Sequence, residues 1–168
     1  MAISTFYYES PLGRIEISAT DEVISSILFE DSAKKQSPKL PATEHLSPEI
    51  EKCVLQLDDY FSGKGANFDI RFKHSGSAFQ QKVWEELRRI PVGKTISYLE
   101  LSKRIGNVKA IRAVGTANGC NQIGIIVPCH RVIGADGSLV GYAGDLWRKK
   151  WLLDHEQKMV GLQQFTLF

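Results

Sequence analysis

The chain has 168 residues, 43% hydrophobic and 24% charged, with a formal net charge of +2 and three cysteines. Such a composition belongs to ordinary folded protein and argues against a disordered chain, and no apolar run is long enough to span a bilayer. The three thiols, Cys53, Cys120 and Cys129, are odd in number and no C-x-x-C or H-x-x-x-H spacing occurs. Free thiols in a reducing compartment follow as the expectation, with no metal site. No basic-then-apolar leader opens the sequence, so a cytoplasmic or nuclear protein is expected, without a membrane partner.

Charge is unevenly spread. Residues 76–156 hold 12 Lys and Arg against 7 Asp and Glu, while the rest hold 9 against 12. A basic half joined to a mildly acidic one fits a polyanion-binding unit on a support, and a plain solvated surface is the alternative.

In chain order, residues 3–9, 14–19 and 23–29 are rich in β-formers and separated by Pro11-Leu12-Gly13 and Asp21-Glu22, which predicts an antiparallel meander. The polar stretch 31–46 reads as a loop. Ser47-Pro48 is an N-cap followed by proline at the first helical position. The helix it opens carries Ile50, Cys53, Val54, Leu57, Tyr60 and Phe61 on one face, so Cys53 reads as core. Gly63 and Gly65 end it, and residues 68–72 read as a short strand. This half, residues 1–74, carries no pattern that suggests chemistry.

The second half, residues 75–168, opens with the capping box Ser77-x-x-Gln80 and a helix whose apolar face is Phe79, Val83, Trp84 and Leu87, ending before Pro91. Ser97-x-x-Glu100 opens another helix to about Ile105. Gly106 suits its C-terminus, and Asn107 suits the N-cap of a helix over 108–118. Two short helices joined by a Gly-Asn turn make a helix-turn-helix pattern. The second is dense in Ala and Gly and has Arg112 in its first turn, which suits close approach to a phosphate backbone or groove, or equally a packed core helix.

Ile123–Val127 is an apolar run stopped by Pro128, which predicts a buried strand. Cys129, His130 and Arg131 follow. A thiol beside an imidazole and a guanidinium sits where thiolate is favoured, although a buried cysteine is often only core. Asp136-Gly137 suggests a hairpin-type turn, a wing or an active-site loop. Gly141-Tyr-Ala-Gly144 reads as a close-approach loop. Asp145 can cap a last helix carrying Leu146, Trp147, Trp151 and Leu152, with Arg148-Lys149-Lys150 between them and Glu156 near its end. Residues 157–168 read as a tail.

Phe79-Gln80 with Val83-Trp84, Ile90-Pro91-x-Gly93, Ser97-Tyr98, Arg112-Ala-Val-Gly115, Ala117-Asn118-Gly119-x-Asn121, Pro128-Cys-His-Arg-Val132, Gly141-Tyr142 and Leu152-Leu-x-x-Glu156 resemble the motifs of O6-alkylguanine-DNA alkyltransferases, in the family's order from about Gly76 to Glu156. The resemblance implies an α/β N-terminal domain with a small ribonuclease-H-like sheet and helix. A mainly α, winged-helix-like DNA-binding domain follows it. It implies direct damage reversal, in which the alkyl group of O6-alkylguanine in double-stranded DNA moves irreversibly to Cys129 in one turnover. O4-alkylthymine stays open as a second substrate. No cofactor is implied, and a monomer is expected.

By the same resemblance, Cys129 is the nucleophile and His130 the base that takes its proton through a water. Glu156 orients His130, and Tyr98 donates a hydrogen bond to the leaving guanine. Asn121 holds the backbone between the reading helix and the nucleophile. Arg112 enters the duplex in place of the flipped nucleotide, with DNA contacts also at Tyr98, Asn107, Ala113 and Ala135. Tyr142 and Lys149 line the base pocket. The sequence departs from the family at Val108 and Gln122, where proline is common, at Asp145, where glycine is usual, and at Ala143, where some members have serine. Two other classes remain on the residues alone: a DNA-binding module with Cys129 as core, and a Cys-His hydrolase, which would turn over repeatedly.

Overall fold

The structure, a computed structural model, describes residues 3–31, 42–142 and 145–166, with side chains described up to residue 161. It forms two compact units, one of Met1–His74 with Gln122–Gly124, the other of Ser75–Asn121 with Ile125–Phe168. Read by itself, the sequence assigns residues 122–124 to the second half.

In the first unit, β1 (Ile3–Ser10), β2 (Gly13–Thr20) and β3 (Val23–Phe29) make the expected antiparallel meander, in the order β1-β2-β3. Asp21 and Glu22, at φ 50° and 68°, both occupy the left-handed region. Two such residues between paired Thr20 and Val23 form the tight hairpin whose twist matches the strands. Helix α1 (Pro48–Phe61) starts where Ser47 Oγ accepts the Ile50 amide at 3.3 Å. It buries Ile50, Cys53, Leu57 and Tyr60, with Ile15, Ile17, Ile24 and Ile27 of the sheet also in the core. Burial, helped by nearby Glu49, pushes the Cys53 thiol up to about 12, so it stays a protonated core side chain.

The strand expected at 68–72 shrinks to one parallel bridge, Phe72 with Ile24. A second parallel bridge joins Ile27 to Ile123, closed by the Ile27 amide to Gln122 O at 2.8 Å and the Gly124 amide to Ile27 O at 2.9 Å. A Cβ on Gly124 would stand 2.9 Å from that same carbonyl oxygen, so the approach requires glycine. The buried strand expected over 123–127 is therefore absent. Ile123 serves the sheet, the chain then turns, and Ile125 takes φ 68°.

In the second unit, α2 (Ala78–Leu87) carries both halves of the Ser77–Gln80 capping box. Its buried Trp84 donates from Nε1 to Ala117 O at 2.8 Å, which fixes α2 against α4 (Ile111–Gly119). Between them lie β4 (Ile96–Ser97) and α3 (Tyr98–Arg104), capped by Ser97 Oγ on the Glu100 amide at 3.0 Å. Gly106, at φ 83°, ends α3. Asn107 caps as expected, with Oδ1 on the Lys109 amide at 3.2 Å, but the first three residues, Val108–Ala110, form a 3-10 turn before α4.

Cys129–Arg131 is a second 3-10 turn, leading into β5 (Val132–Ile133), which pairs in parallel with β4. The Asp136-Gly137 turn is closed by the Gly134 amide on Ser138 O at 2.8 Å. Helix α5 (Leu146–Thr166) continues through most of the expected tail. At its start Leu146 and Trp147 are 48% and 55% exposed, whereas Arg148 and Lys149 are buried. Among the described residues no helix is long and apolar enough to cross a membrane.

Candidate active site

Cys129 is buried in the 3-10 turn and forms no disulfide. The turn is held from two sides. Asn121, just past α4, donates from Nδ2 to Val127 O at 2.8 Å. Asn118, in the last turn of α4, donates from Nδ2 to Cys129 O at 3.3 Å. Two amides from one helix end thus fix the main chain on both sides of Pro128.

Next to the thiol, His130 and Glu156 have no solvent exposure, and their Nε2 and Oε2 lie 2.7 Å apart. Burial alone would raise the Glu156 pKa. The charges and hydrogen bonds of His130 and Arg131 overturn this and hold the carboxyl well below the usual carboxylate range. An ionised carboxylate only accepts, so Nε2 carries the proton and donates. In the neutral imidazole the lone pair is then on Nδ1, which is buried and has no hydrogen-bond partner among the described residues. The result is a desolvated imidazole of fixed tautomer, with its basic nitrogen uncommitted.

Arg131 takes a role the sequence reading missed. Its Nε and Nη2 donate to Glu156 Oε1 and Oε2 at 2.7 and 3.1 Å, and its Nη1 donates to Ile90 O at 2.7 Å. The fork matches the carboxylate in two places, so its charge is neutralised at Glu156 rather than offered to the thiol. That corrects the expected guanidinium setting of Cys129. The free positive group near the sulfur comes from α5 instead. Lys149 Nζ donates to Val132 O at 2.6 Å and Val140 O at 2.7 Å. Burial lowers its pKa to about 8, against a favourable charge interaction with Cys129. The family resemblance expects Lys149 at the base pocket, and the packing of α5 buries it while its neighbour Lys150 stays exposed.

Tyr98, at the first turn of α3, is half-buried. Its hydroxyl donates to Val140 O at 3.1 Å, and Lys149 Nζ lies 5.9 Å from its ring centre. Burial and then the charge of Cys129 raise its pKa, while a side-chain hydrogen bond from Asn118 works against the rise. Tyr142 is also half-buried. Desolvation of its hydroxyl, followed by the Cys129 charge, pushes its pKa well up. Ala143 and Gly144, part of the expected pocket loop, lie outside the described residues.

Cys129, His130, Glu156, Tyr98, Asn121, Tyr142 and Lys149 are therefore placed in and around one buried turn. Arg112, Asn107, Ala113 and Ala135 are all exposed and make no part of it. Exposed Leu99 on α3, Val108 in the 3-10 turn and Ile111 at the start of α4 accompany Arg112. Among the described residues no group of three or more His, Cys, Asp or Glu could hold a metal ion. Chemically, the arrangement can deprotonate a buried thiol, keep cationic charge near it, and present a phenol beside it.

Residues 78–158 match the DNA-binding domain of 6-O-methylguanine DNA methyltransferase, and residues 4–74 match that family's ribonuclease-like domain. Among curated relatives, a methylated-DNA–protein-cysteine methyltransferase of Methanosarcina mazei is 55% identical over 150 residues, 89% of this chain and 94% of the relative. One of Haemophilus influenzae is 43% identical over 152 residues, 90% and 84% of the two chains. Among solved structures, Mycobacterium tuberculosis OGT in complex with DNA superposes with a TM-score of 0.80 at 39% identity, covering 94% of this chain and 93% of that one.

Proposed function

Since the chain belongs to the 6-O-methylguanine DNA methyltransferase family, we propose that it repairs double-stranded DNA by moving the alkyl group of O6-alkylguanine onto Cys129, once per molecule. The observation that carries this reading is the fully buried His130–Glu156 pair, which fixes the tautomer of the imidazole next to the thiol. A cysteine that served only as core would need no such neighbour.

In this mechanism His130 takes the thiol proton at Nδ1, through a water, and Glu156 stabilises the imidazolium. The sulfur lone pair forms the S–C bond while the C–O6 bond breaks, and its electron pair stays on the purine. Tyr98 hydrogen-bonds the leaving base, which ends as guanine after protonation. Lys149 and the main-chain turn hold charge and geometry around the sulfur. A thioether resists hydrolysis, so the protein acts once.

An in-line approach to O6 requires the base outside the stack, at a cost of about a few kcal/mol. Arg112, exposed at the start of α4, fills the gap, with DNA contacts at Asn107, Ala113, Ala135 and Tyr98. Asn121 holds the turn after the reading helix, and Tyr142 lines the base pocket with Lys149. The protein acts as a monomer in a reducing compartment, the cytoplasm or nucleus.

Intact mass after incubation with excess O6-methylguanine duplex tests this. One added methyl, mapped to the Cys129 peptide and absent from Cys129→Ser, is the expected result. An unchanged mass with duplex binding intact would leave only a DNA-binding module. Repeated turnover with no stable adduct would point to a hydrolase.

A further inference from the structure

Among the described residues four that are not glycine take positive φ: Asp21, Glu22, Ile125 and Asp145. Asp21 and Glu22 turn the hairpin between β2 and β3, and all but Ile125 are exposed. Ile125, at φ 68°, is β-branched and only 2% exposed. That combination is unfavourable, because the left-handed conformation crowds Cβ against the next carbonyl and a branched Cβ crowds it more. A residue persists there only where its surroundings fix it on both sides.

Both sides are fixed here. Upstream, the Gly124 amide donates to Ile27 O at 2.9 Å. Downstream, Val127 O receives Asn121 Nδ2 at 2.8 Å and the Cys129 amide at 2.9 Å. The bond from Cys129 closes an inverse γ-turn over Pro128, whose φ and ψ are −83° and 66°. The proline ring locks that φ, so the main chain leading into the nucleophile has little freedom of its own. Only Ile125 and Ile126 lie between the anchored residues Gly124 and Val127. In the extended or right-handed conformations that isoleucine prefers, Ile125 would direct the chain away from Val127's two hydrogen bonds. Glycine would take the same φ without crowding but has many other conformations open to it, whereas a branched, buried side chain has few.

We infer that Ile125 is a positioning residue for alkyl transfer: its left-handed backbone, pinned by a buried branched side chain, aims the γ-turn that presents Cys129. The inference rests on the proposed transfer to Cys129. Ile125 moves no proton and its side chain is part of the core, so it acts only through the main chain of residues 127–129.

Ile125→Ala and Ile125→Gly remove nearly the same packing and differ in backbone freedom. Alanine keeps the cost of positive φ and glycine does not, so Ile125→Gly should unfold at higher urea than Ile125→Ala. A merely structural role would put their transfer rates in that same order. The inference expects the reverse in single-turnover transfer from O6-methylguanine duplex at saturating DNA. There Ile125→Gly should be slower than Ile125→Ala and about 10²-fold slower than wild type, the scale for a misplaced reacting group. The half-saturating DNA concentration should stay within about threefold in both, because the duplex-facing residues are untouched. Ile125→Val keeps the branched Cβ and should transfer within about threefold of wild type. Amide hydrogen exchange at Cys129 gives a readout without DNA, and it should be faster in Ile125→Gly than in Ile125→Ala despite the greater stability of the glycine variant. Transfer or exchange that follows the order of stability, a valine variant as slow as the glycine one, or a glycine variant that does not fold would each overturn the inference. If the wild-type protein takes up no methyl group, the proposed function fails instead, and exchange at Cys129 still decides whether Ile125 holds the turn.

Discussion

Replacing Glu156 by Gln probes the centre of the site most directly. Glu156 accepts three hydrogen bonds, one from His130 and two from Arg131, with no solvent exposure. The Gln side chain keeps one oxygen and turns an NH2 group toward a donor. If that NH2 faces Arg131, the guanidinium is left buried without its counter-ion. If it faces His130, the imidazole must move its proton to Nδ1 and is no longer a base toward the thiol. Breaking one side of a buried ion pair costs roughly 3–5 kcal/mol, and losing a positioned base costs about 10²–10⁴-fold in rate. Urea unfolding and single-turnover transfer on the same preparation would measure both.

Adding Arg131→Met to Glu156→Gln removes the stranded cation. The double variant should recover on the order of 1–2 kcal/mol of that loss, since apolar replacements of buried pairs are well tolerated, while the rate stays low. Should Glu156→Gln unfold like the wild type and transfer the methyl group within about threefold of its rate, the relay would be refuted. Lost stability with an unchanged rate would reduce Glu156 to a structural ion pair.

The same carboxylate fixes an acid limb. Its folded pKa lies below the unfolded value, so its contribution is complete above about pH 5 and is lost as pH falls below the ordinary glutamate value of ~4.3. Glu156→Gln should flatten that limb in pH-dependent urea unfolding. Lys149 has the opposite charge and a depressed pKa, from 10.5 to about 8. Between those values the unfolded chain binds more protons, so stability gains from this residue as pH rises through that window, a gain that Lys149→Met should abolish. Gly93 has φ 80°, and a Cβ there would lie 2.5 Å from Val160 Cγ2, so Gly93→Ala should cost about 1–3 kcal/mol by thermal unfolding. Arg112→Ala, at an exposed position, should change stability by no more than about 0.5 kcal/mol. It should slow transfer from duplex far more than from the free alkylated base, and equal slowing on both substrates would remove Arg112 from the flipping step.

Much of this was readable because its causes are local. Ser47, Ser77 and Ser97 cap the helices that follow them, and Asp21-Glu22 turns a hairpin, since a few neighbouring residues decide each outcome. Family motifs gave Cys129, His130 and Glu156. What escaped depends on distant partners. Ile123–Val127 has the look of a strand, but its first residues pair with β3 and Ile125 turns the chain away. Arg131 beside Cys129 suggested activation of the thiol, yet the guanidinium is spent on a carboxylate 25 residues on. At the start of α5 Leu146 and Trp147 are exposed while Arg148 and Lys149 are buried, because two distant carbonyls receive Lys149 Nζ. Asn118 stood in a quoted motif, with its amide's role set entirely by residues elsewhere in the chain.

Glu156 on α5 has a consequence for the order in which the protein is made. His130 leaves the ribosome 26 residues before the carboxylate that orients it. At about 5–20 residues per second this leaves an interval on the order of one to five seconds. Throughout it, the imidazole beside Cys129 lacks the carboxylate that holds it in the folded protein. On the proposed alkyl transfer, a protein that reacts once completes its site only after the helix carrying Glu156 has been made.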